Sequence, residues 1–461
     1  MKKILCAVIA LALSATVLFS GCFGGSGSLE VNVSNTYESM TDEQWQEYKY
    51  ILNNQTPDSG KSLQTAVNGS LLSGVSILTR FTYNDITGYV DEVFGGSRQI
   101  GKPDYHSVYC GAGVIVELDK EAGNAYIITN CHVVYSDASK ETVSDDIRLY
   151  LYGQDTEGVN FNLEYSYVMH GGNKVYYRED GNEYWLLDYN ITDDGAYAMK
   201  AEVVCASIAY DIALLKVSNS QVLKHSGAKA ADFVKEDDVY AGARAYAVGN
   251  PDGDGMSATV GFVTKESEEI FLNLSDNEDE DAYGSYRVIR TDAAINGGNS
   301  GGGFYNEQGK LIGIVNSKST GDDIDNMGYA LPASYVRRLW GLMKETSPSY
   351  FSKKNPYVKA AIFPAGYKVV NTVSYMNPLG LAEIAETVAV TAAGGNFKAG
   401  DVLKHITIKN GETVIEDKDI TRAYHIDDTL LSARDGYTVI FTVIRNGQQT
   451  EVKYSASLAR V

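Results

Sequence analysis

The sequence has few basic residues for its size. Its 461 residues contain 39 Lys and Arg against 59 Asp and Glu, which gives a formal net charge of −20. An acidic surface repels a phosphate backbone, so nucleic acid is a poor candidate partner. The composition, 44% apolar and 21% charged, is that of a globular protein. At this length two or three folded units are expected.

Long apolar stretches are also scarce, which limits how the chain can meet a membrane. Residues 4–19 are apolar but too short to span a bilayer comfortably, and they follow Lys2 and Lys3. A basic start, a short apolar segment and small residues after it predict a secretory signal. The segment L-F-S-G-C resembles the bacterial lipoprotein box, which implies cleavage before Cys22 and lipidation of that residue. Its acyl chains would anchor the protein to the outer face of the cell membrane. The alternative is a plain signal peptide or an uncleaved anchor.

Cysteine is rare as well. There are five, of which Cys6 leaves with the signal and Cys22 is the candidate lipidation site. The remaining three, Cys110, Cys131 and Cys205, allow at most one internal disulfide, and three buried thiols are the alternative. The acidic run at 275–281 lacks the ordered spacing of a calcium loop and is interpreted as a solvated loop. We therefore expect no metal and no cofactor.

Composition shifts divide the chain into four segments. We assign residues 1–21 to the signal and 22–64 to a tether with a short helix at 41–53. Residues 65–347 contain many short β-rich runs, which predict a sandwich or barrel, and a polar insertion at about 155–195. An amphipathic helix that opens at Pro332 closes this segment. Residues 356–461 form a separate β-rich unit that ends in a hairpin turning at 445–447.

Three short segments carry residues that suit acyl transfer. T-N-C-H-V-V contains His132, Y-D-I-A-L-L contains Asp211, and G-G-N-S-G-G contains Ser300. A serine hydroxyl needs a base, which imidazole supplies near neutral pH, and a carboxylate fixes the tautomer of that imidazole. Glycines around the serine let the backbone turn tightly and aim N–H donors at an oxyanion. Each residue alone is usually structural, but the order His, Asp, Ser matches the chymotrypsin-type arrangement.

These segments, with A-V-G-N-P (247–251) and G-Y-A-L-P (328–332), resemble the HtrA/Deg family of extracytoplasmic serine proteases. The resemblance implies a mostly β fold, a chymotrypsin-like double β-barrel followed by a small PDZ-like α+β domain. His132 would be the general base, Asp211 its orienting partner and Ser300 the nucleophile. The backbone N–H groups of Gly298 and Ser300 would form the oxyanion hole.

The same resemblance implies finer features. Ile295 and Asn316 would line the specificity pocket. A loop of the PDZ-like domain, Leu379, Gly380 and Leu381, would receive a peptide carboxylate. The substrates would be unfolded or damaged exported polypeptides, and the assembly a homotrimer.

The sequence departs from the family pattern at several positions. Gly297 and Gly303 stand where prolines are common, and losing those fixed φ angles should make the loop around Ser300 more mobile. Cys131 precedes the histidine. Chymotrypsin-like proteases often pair a cysteine near the histidine with one ahead of the first glycine segment, so a Cys110–Cys131 bridge is considered. Because side chains alternate along a strand, the shifted position can point this thiol away. The alternative function is a catalytically silent binding or chaperone-like lipoprotein on the same fold.

Overall fold

The computed structural model describes residues 59–84, 104–136, 142–144, 146–153, 165–170, 173–178, 198–234, 239–273, 283–319, 326–345 and 356–460. The predicted signal, the candidate lipidation site, the helix at 41–53 and the acidic run at 275–281 lie outside these residues, as does most of the insertion. None of the described helices has the length and hydropathy needed to cross a membrane.

Six of the first eight strands close into a barrel, hereafter barrel 1. The eight strands are β1 (Gly74–Asn84), β2 (Asp104–Asp119), β3 (Asn124–Thr129), β4 (Asp146–Leu151), β5 (Tyr165–His170), β6 (Asn173–Arg178), β7 (Met199–Ser207) and β8 (Ile212–Val217). The closed order is β1-β2-β3-β8-β7-β4, while β5 and β6, in the insertion, pair with each other. Aliphatic side chains such as Ile77, Ile127 and Leu149 fill the barrel interior.

The position of strand β8 between two hydrophobic clusters explains why its sequence is almost continuously apolar. Side chains on a strand alternate between its two faces. Ala213 and Leu215 belong to the core of barrel 1, whereas Ile212 and Leu214 belong to a cluster that also contains residues of the second barrel, such as Tyr286. Both faces are therefore buried, and the strand is fixed at the junction of the barrels immediately after Asp211.

Barrel 2 is formed by the next six strands. They are β9 (Arg244–Gly249), β10 (Ser257–Asn273), β11 (Tyr283–Thr291), β12 (Gly303–Asn306), β13 (Leu311–Lys318) and β14 (Gly328–Pro332), closed in the order β10-β11-β14-β13-β12-β9. The double-barrel prediction is confirmed. Short strands bounded by glycine and polar residues thus close into two barrels, which removes the exposed edges of the sheets.

Five helices flank the strands within the described residues. They are α1 (Ser59–Leu71), α2 (Cys131–Val134), α3 (Gln221–His225), α4 (Ala333–Glu345) and α5 (Tyr424–Leu430). The predicted helix near Pro332 is confirmed as α4, which starts one residue later and buries Val336, Leu339 and Met343. Helix α1 was not predicted. Leu63, Ala66 and Val67 pack from it against the cluster between the barrels.

The C-terminal unit contains a main sheet with five strands side by side and a sixth paired to one of them, and its short first and last strands form a separate pair. Its elements are β15 (Lys359–Ala361), β16 (Gly366–Met376), β17 (Ala382–Ala392), β18 (Val402–Asn410), β19 (Thr413–Asp419), β20 (Thr438–Arg445), β21 (Gln448–Ser455) and β22 (Leu458–Arg460). The main sheet runs β16-β17-β18-β20-β21, with β19 paired to β18 and β16 at an edge. The predicted final hairpin is confirmed, and Asn446 (φ +51°) and Gly447 (φ +76°) form the positive-φ turn that suits it.

Charged side chains of the C-terminal unit form clusters within it and with the protease segment. On β18, the ring nitrogens of His405 lie 2.7 Å from Asp419 and 2.8 Å from Asp417. On the side facing the protease, Arg338 of α4 bonds both oxygens of Glu416, at 2.9 and 3.2 Å. Arg287 of β11 pairs with Asp428 of α5, and both side chains are largely buried. The C-terminal unit is thus fastened to barrel 2 by ion pairs.

Candidate active site

The candidate base, His132, is presented by the short helix α2 directly after β3. Its neighbours Cys131, Val133 and Val134 are buried in barrel 1, which fixes the helix. The side chain of His132 itself is 40% exposed. Burial on three sides and exposure of the imidazole give a histidine that is rigidly held yet open to a substrate.

Asp211 is buried and its carboxylate is fully engaged. It ends the turn between β7 and β8, with φ +44° and 1% exposure. Its Oδ2 lies 2.8 Å from Nδ1 of His132, and its Oδ1 accepts the backbone N–H of His132 at 3.0 Å. The carboxylate cannot donate when ionised, so the imidazole carries its proton on Nδ1. The other ring nitrogen, Nε2, is then the proton acceptor.

Asn316 on β13 joins Asp211 and Ser300. Its side-chain amide donates to Oδ2 of Asp211 at 2.7 Å, and its backbone carbonyl accepts the hydroxyl of Ser300 at 3.1 Å. Asn316 is 1% exposed. The family resemblance predicts that this side chain lines the specificity pocket, whereas in the structure its amide is hydrogen-bonded to the carboxylate of Asp211. No local pattern marks this contact, because it joins two barrels across 105 positions of the sequence.

Ser300 lies in the glycine loop between β11 and β12. Its carbonyl accepts the N–H of Ala112 from barrel 1 at 2.9 Å, which ties the loop to the opposite barrel. The hydroxyl has one proton, and it is directed at Asn316 in this arrangement. Attack on a substrate requires that proton to turn towards Nε2 of His132, a rotation about the Ser300 side-chain bond. Catalytic hydrogen bonds often form only once substrate is bound.

The backbone around Ser300 offers two uncommitted donors. Asn299, Gly301 and Gly302 donate their N–H groups within the fold, at 3.1, 2.8 and 3.0 Å. Among the residues that the structure describes, the N–H groups of Gly298 and Ser300 have no acceptor. Donors left open on either side of a bonded residue suit a developing oxyanion.

Only glycine fits at position 298. Its φ is +88°, and a Cβ there would lie 2.0 Å from the carbonyl oxygen of Asn250. At position 297, by contrast, a Cβ would meet nothing closer than 3.9 Å. A proline at 303 is excluded, because a Cβ would lie 2.3 Å from the ring of Tyr305. The ring of Tyr305 therefore explains why glycine, and not the proline common in the family, occupies position 303.

Ile295 contributes more to packing than to an open pocket. It is 7% exposed, belongs to the core cluster of barrel 2 and lies against Gly328, where a Cβ would come within 2.4 Å of it. A separate open cleft of about 50 Å³ lies beside His132. Its lining is mixed and includes Phe81, Tyr109, Ile208 and Ser136.

None of the three described cysteines forms a disulfide. Cys131 and Cys205 are buried thiols, as one of the two interpretations expected, but Cys110 is exposed, which corrects it. Cys110 faces Gly253, whose Cβ position lies 3.0 Å from its sulfur. Burial raises the pKa of Cys205 to about 12, and burial together with the charge of Asp211 raises that of Cys131. Both thiols are therefore poor nucleophiles.

The expected carboxylate-binding loop has no donors to offer. Leu379, Gly380 and Leu381 form the hairpin turn between β16 and β17, and Leu379 is 78% exposed. The N–H groups of Leu379 and Leu381 donate to the side chain of Asn377, and that of Gly380 donates to its carbonyl. A carboxylate site requires free N–H groups. The geometry contradicts that expectation.

The three candidate residues lie in a segment that is similar to a known family of peptidases. The model of the trypsin-like peptidase domain matches residues 111–314, which contain all three candidate catalytic residues. Over these residues the chain is similar to trypsin-like peptidases, and it is a serine endopeptidase.

Its similarity is to the HtrA group of these enzymes. The serine protease Do-like HtrA of Bacillus subtilis is 27% identical over 78% of this chain and 66% of its own length. The protein of the same name from Lactococcus lactis subsp. cremoris is 24% identical over 96% and 95%. A solved HtrA-type protease, AlgW with decapeptide, is 19% identical over 86% of this chain and 98% of its own, with a TM-score of 0.47. The fold assignment therefore rests on the two closed barrels themselves.

Proposed function

We propose that this endopeptidase cleaves peptide bonds with Ser300 as nucleophile, His132 as general base and Asp211 as the orienting carboxylate. The observation that carries the proposal is the buried Asp211, bonded to Nδ1 of His132 at 2.8 Å, with Nε2 left as the acceptor. The hydroxyl of Ser300 donates to the carbonyl of Asn316, whose amide donates to Asp211. Among the described residues, the N–H groups of Gly298 and Ser300 have no acceptor.

The reaction follows from these positions. Oγ of Ser300 bonds to the substrate carbonyl carbon while its proton passes to Nε2 of His132. The carbonyl oxygen becomes an oxyanion that accepts hydrogen bonds from the two open N–H groups. The C–N bond then breaks, the leaving amine takes the proton from His132, and an acyl-enzyme remains. Water repeats the sequence and releases Ser300.

The proposed substrates are unfolded or damaged exported polypeptides. Such chains expose apolar side chains, and Phe81 and Ile208 provide apolar surface in the cleft beside His132. The C-terminal unit is proposed to be PDZ-like and to bind polypeptide. Because the turn at 379–381 has no free donors, the open edge of β16 is the better candidate for strand addition.

Location and assembly are further proposals. The N-terminal signal supports an extracytoplasmic protein held at the membrane by lipid on Cys22. Mass spectrometry of membrane-extracted protein is expected to find an acylated Cys22 peptide, and Cys22→Ser is expected to release the protein or leave the precursor uncut. An unmodified mature terminus elsewhere rules out the lipid anchor. The proposed homotrimer is checked by the mass of the detergent-solubilised protein.

Covalent labelling tests the active site directly. Diisopropyl fluorophosphate is expected to modify the peptide that contains Ser300, with release of fluoride, and His132→Ala is expected to abolish the labelling because no base remains. Labelling at another serine, or unchanged labelling of the His132 variant, contradicts the proposal. A catalytically silent relative would show no labelling at all.

A further inference from the structure

The turn that carries Asp211 is held from outside its own barrel. Within the turn, the N–H of Asp211 donates to the carbonyl of Ile208 at 3.0 Å. The same carbonyl accepts a second hydrogen bond, at 3.1 Å, from the hydroxyl of Tyr286. Tyr286 belongs to β11 of barrel 2 and is 1% exposed. Both lone pairs of the Ile208 oxygen are therefore used, one from each barrel.

The turn needs this support because Asp211 adopts a left-handed conformation. A positive φ such as the +44° of Asp211 is uncommon outside glycine, and although Asp adopts it more readily than most residues, it persists only where the surroundings hold it. In this conformation the carboxylate reaches both the backbone N–H and the Nδ1 of His132. If the turn relaxed, at least one of those two contacts would be lost.

Tyr286 also connects the two halves of the site along the chain. Strand β11 ends at Thr291 and leads directly into the loop that carries Ser300. The bond from Tyr286 to Ile208 therefore ties the turn of Asp211 to the strand that precedes the nucleophile. Burial, and then the charge of Asp211, raises the pKa of Tyr286, so the phenol keeps its proton throughout an ordinary assay range.

We propose that Tyr286 is a positioning residue, which acts through the Ile208 carbonyl to hold the Asp211 carboxylate on His132. The inference rests on the triad proposed above. Tyr286 does not touch the reacting atoms, and the effect of its hydroxyl is carried entirely by the turn. Ile208 also lines the cleft beside His132, so a small reagent is needed to separate this effect from peptide binding.

Tyr286→Phe removes one oxygen and leaves the packing of the ring intact. A hydrogen bond of this kind contributes about 0.5–1.5 kcal/mol, which corresponds to roughly a 2- to 13-fold change in rate. We expect kcat on fluorescein-labelled β-casein, per active site titrated with a fluorophosphonate, to fall by that factor, with a smaller change in KM. The rate of Ser300 labelling by diisopropyl fluorophosphate is expected to fall equally.

Tyr246→Phe is the matched control. Tyr246 is also fully buried, on β9 of the same barrel, and its hydroxyl lies 2.8 Å from that of Ser70 at the end of α1. Loss of the Tyr246 hydroxyl should lower the unfolding temperature about as much as Tyr286→Phe does. It should leave kcat and the labelling rate within about twofold of wild type, because the hydrogen bond between Tyr246 and Ser70 holds no part of the site. Active-site titration excludes any unfolded fraction from either rate.

The outcomes separate this inference from the triad on which it rests. In an Asp211→Asn background, Tyr286→Phe is expected to cause no further loss, since it acts only through that carboxylate. Full labelling of Tyr286→Phe, an equal loss in Tyr246→Phe, or an additive loss on Asp211→Asn overturns the positioning role alone. Activity retained by Ser300→Ala would instead overturn the triad.

Discussion

Two adjacent glycines provide a sharp test of the oxyanion hole. Gly298→Ala places a methyl group 2.0 Å from the carbonyl oxygen of Asn250 at a φ of +88°, so the loop must move. Gly297→Ala meets no atom closer than 3.9 Å, and its φ lies outside the positive range. The two substitutions add the same atoms to neighbouring residues. Only the first is expected to displace the N–H donor at 298.

The magnitude follows from the loss of that donor. Removing one oxyanion donor lowers kcat by about 10²- to 10³-fold, or about 2.7–4 kcal/mol. The left-handed backbone adds about 1–2 kcal/mol against alanine, which drives the loop out of its native geometry. Gly298→Ala should therefore lose kcat on casein by about 10²-fold or more, while Gly297→Ala stays within about threefold. Circular dichroism and thermal unfolding check that both variants fold. Near-normal kcat in folded Gly298→Ala, or an equal loss in Gly297→Ala, refutes the reasoning.

Three further predictions concern other contacts. Asn316→Ala removes a hydrogen bond to the catalytic carboxylate, and kcat is expected to fall by roughly 10- to 100-fold with folding preserved; an unchanged kcat contradicts the role of that amide. Burial tends to lower the pKa of His405, but hydrogen bonds to two aspartates raise it overall. The stabilisation from protonated His405 is therefore complete below about pH 6.5 and is lost as pH rises through the higher pKa of the folded protein. The unfolding temperature should fall from pH 6 to pH 9, and this fall should be smaller in His405→Gln. Arg338→Met leaves the half-buried Glu416 with the hydroxyl of Ser432 but without the Arg338 ion pair, and should lower the unfolding temperature. Lys453→Met, which removes an exposed pair, should change it little.

The sequence predicted those parts of the fold that depend on local patterns. Strand β8 matched its apolar run because both of its faces are buried, and the final hairpin matched its Asn446-Gly447 turn. The order of His132, Asp211 and Ser300, each beside a strand, is the local pattern on which the proposed site rests. Helix α1 was missed, although Leu63, Ala66 and Val67 have helical spacing, because residues 22–64 were assigned to the tether.

Contacts between distant segments could not be predicted. The amide of Asn316 and the hydroxyl of Tyr286 reach the Asp211 turn only after the two barrels have closed and docked. Neither residue has a sequence neighbour that marks it. The turn at Leu379 was misassigned because a Gly between two Leu residues fits both a carboxylate loop and a hairpin, and only the hydrogen bonds of Asn377 decide between them.

Casein digestion by the wild-type protein beside Ser300→Ala, His132→Ala and the double variant tests the central claim most directly. Members of a triad act as a unit, so each single variant should lose essentially all activity and the double variant should be scarcely worse than either. All three should keep the wild-type circular dichroism spectrum, because the Ser300 hydroxyl and the exposed face of His132 contribute little to packing. Wild-type cleavage by any folded single variant would contradict the assignment of Ser300 and His132.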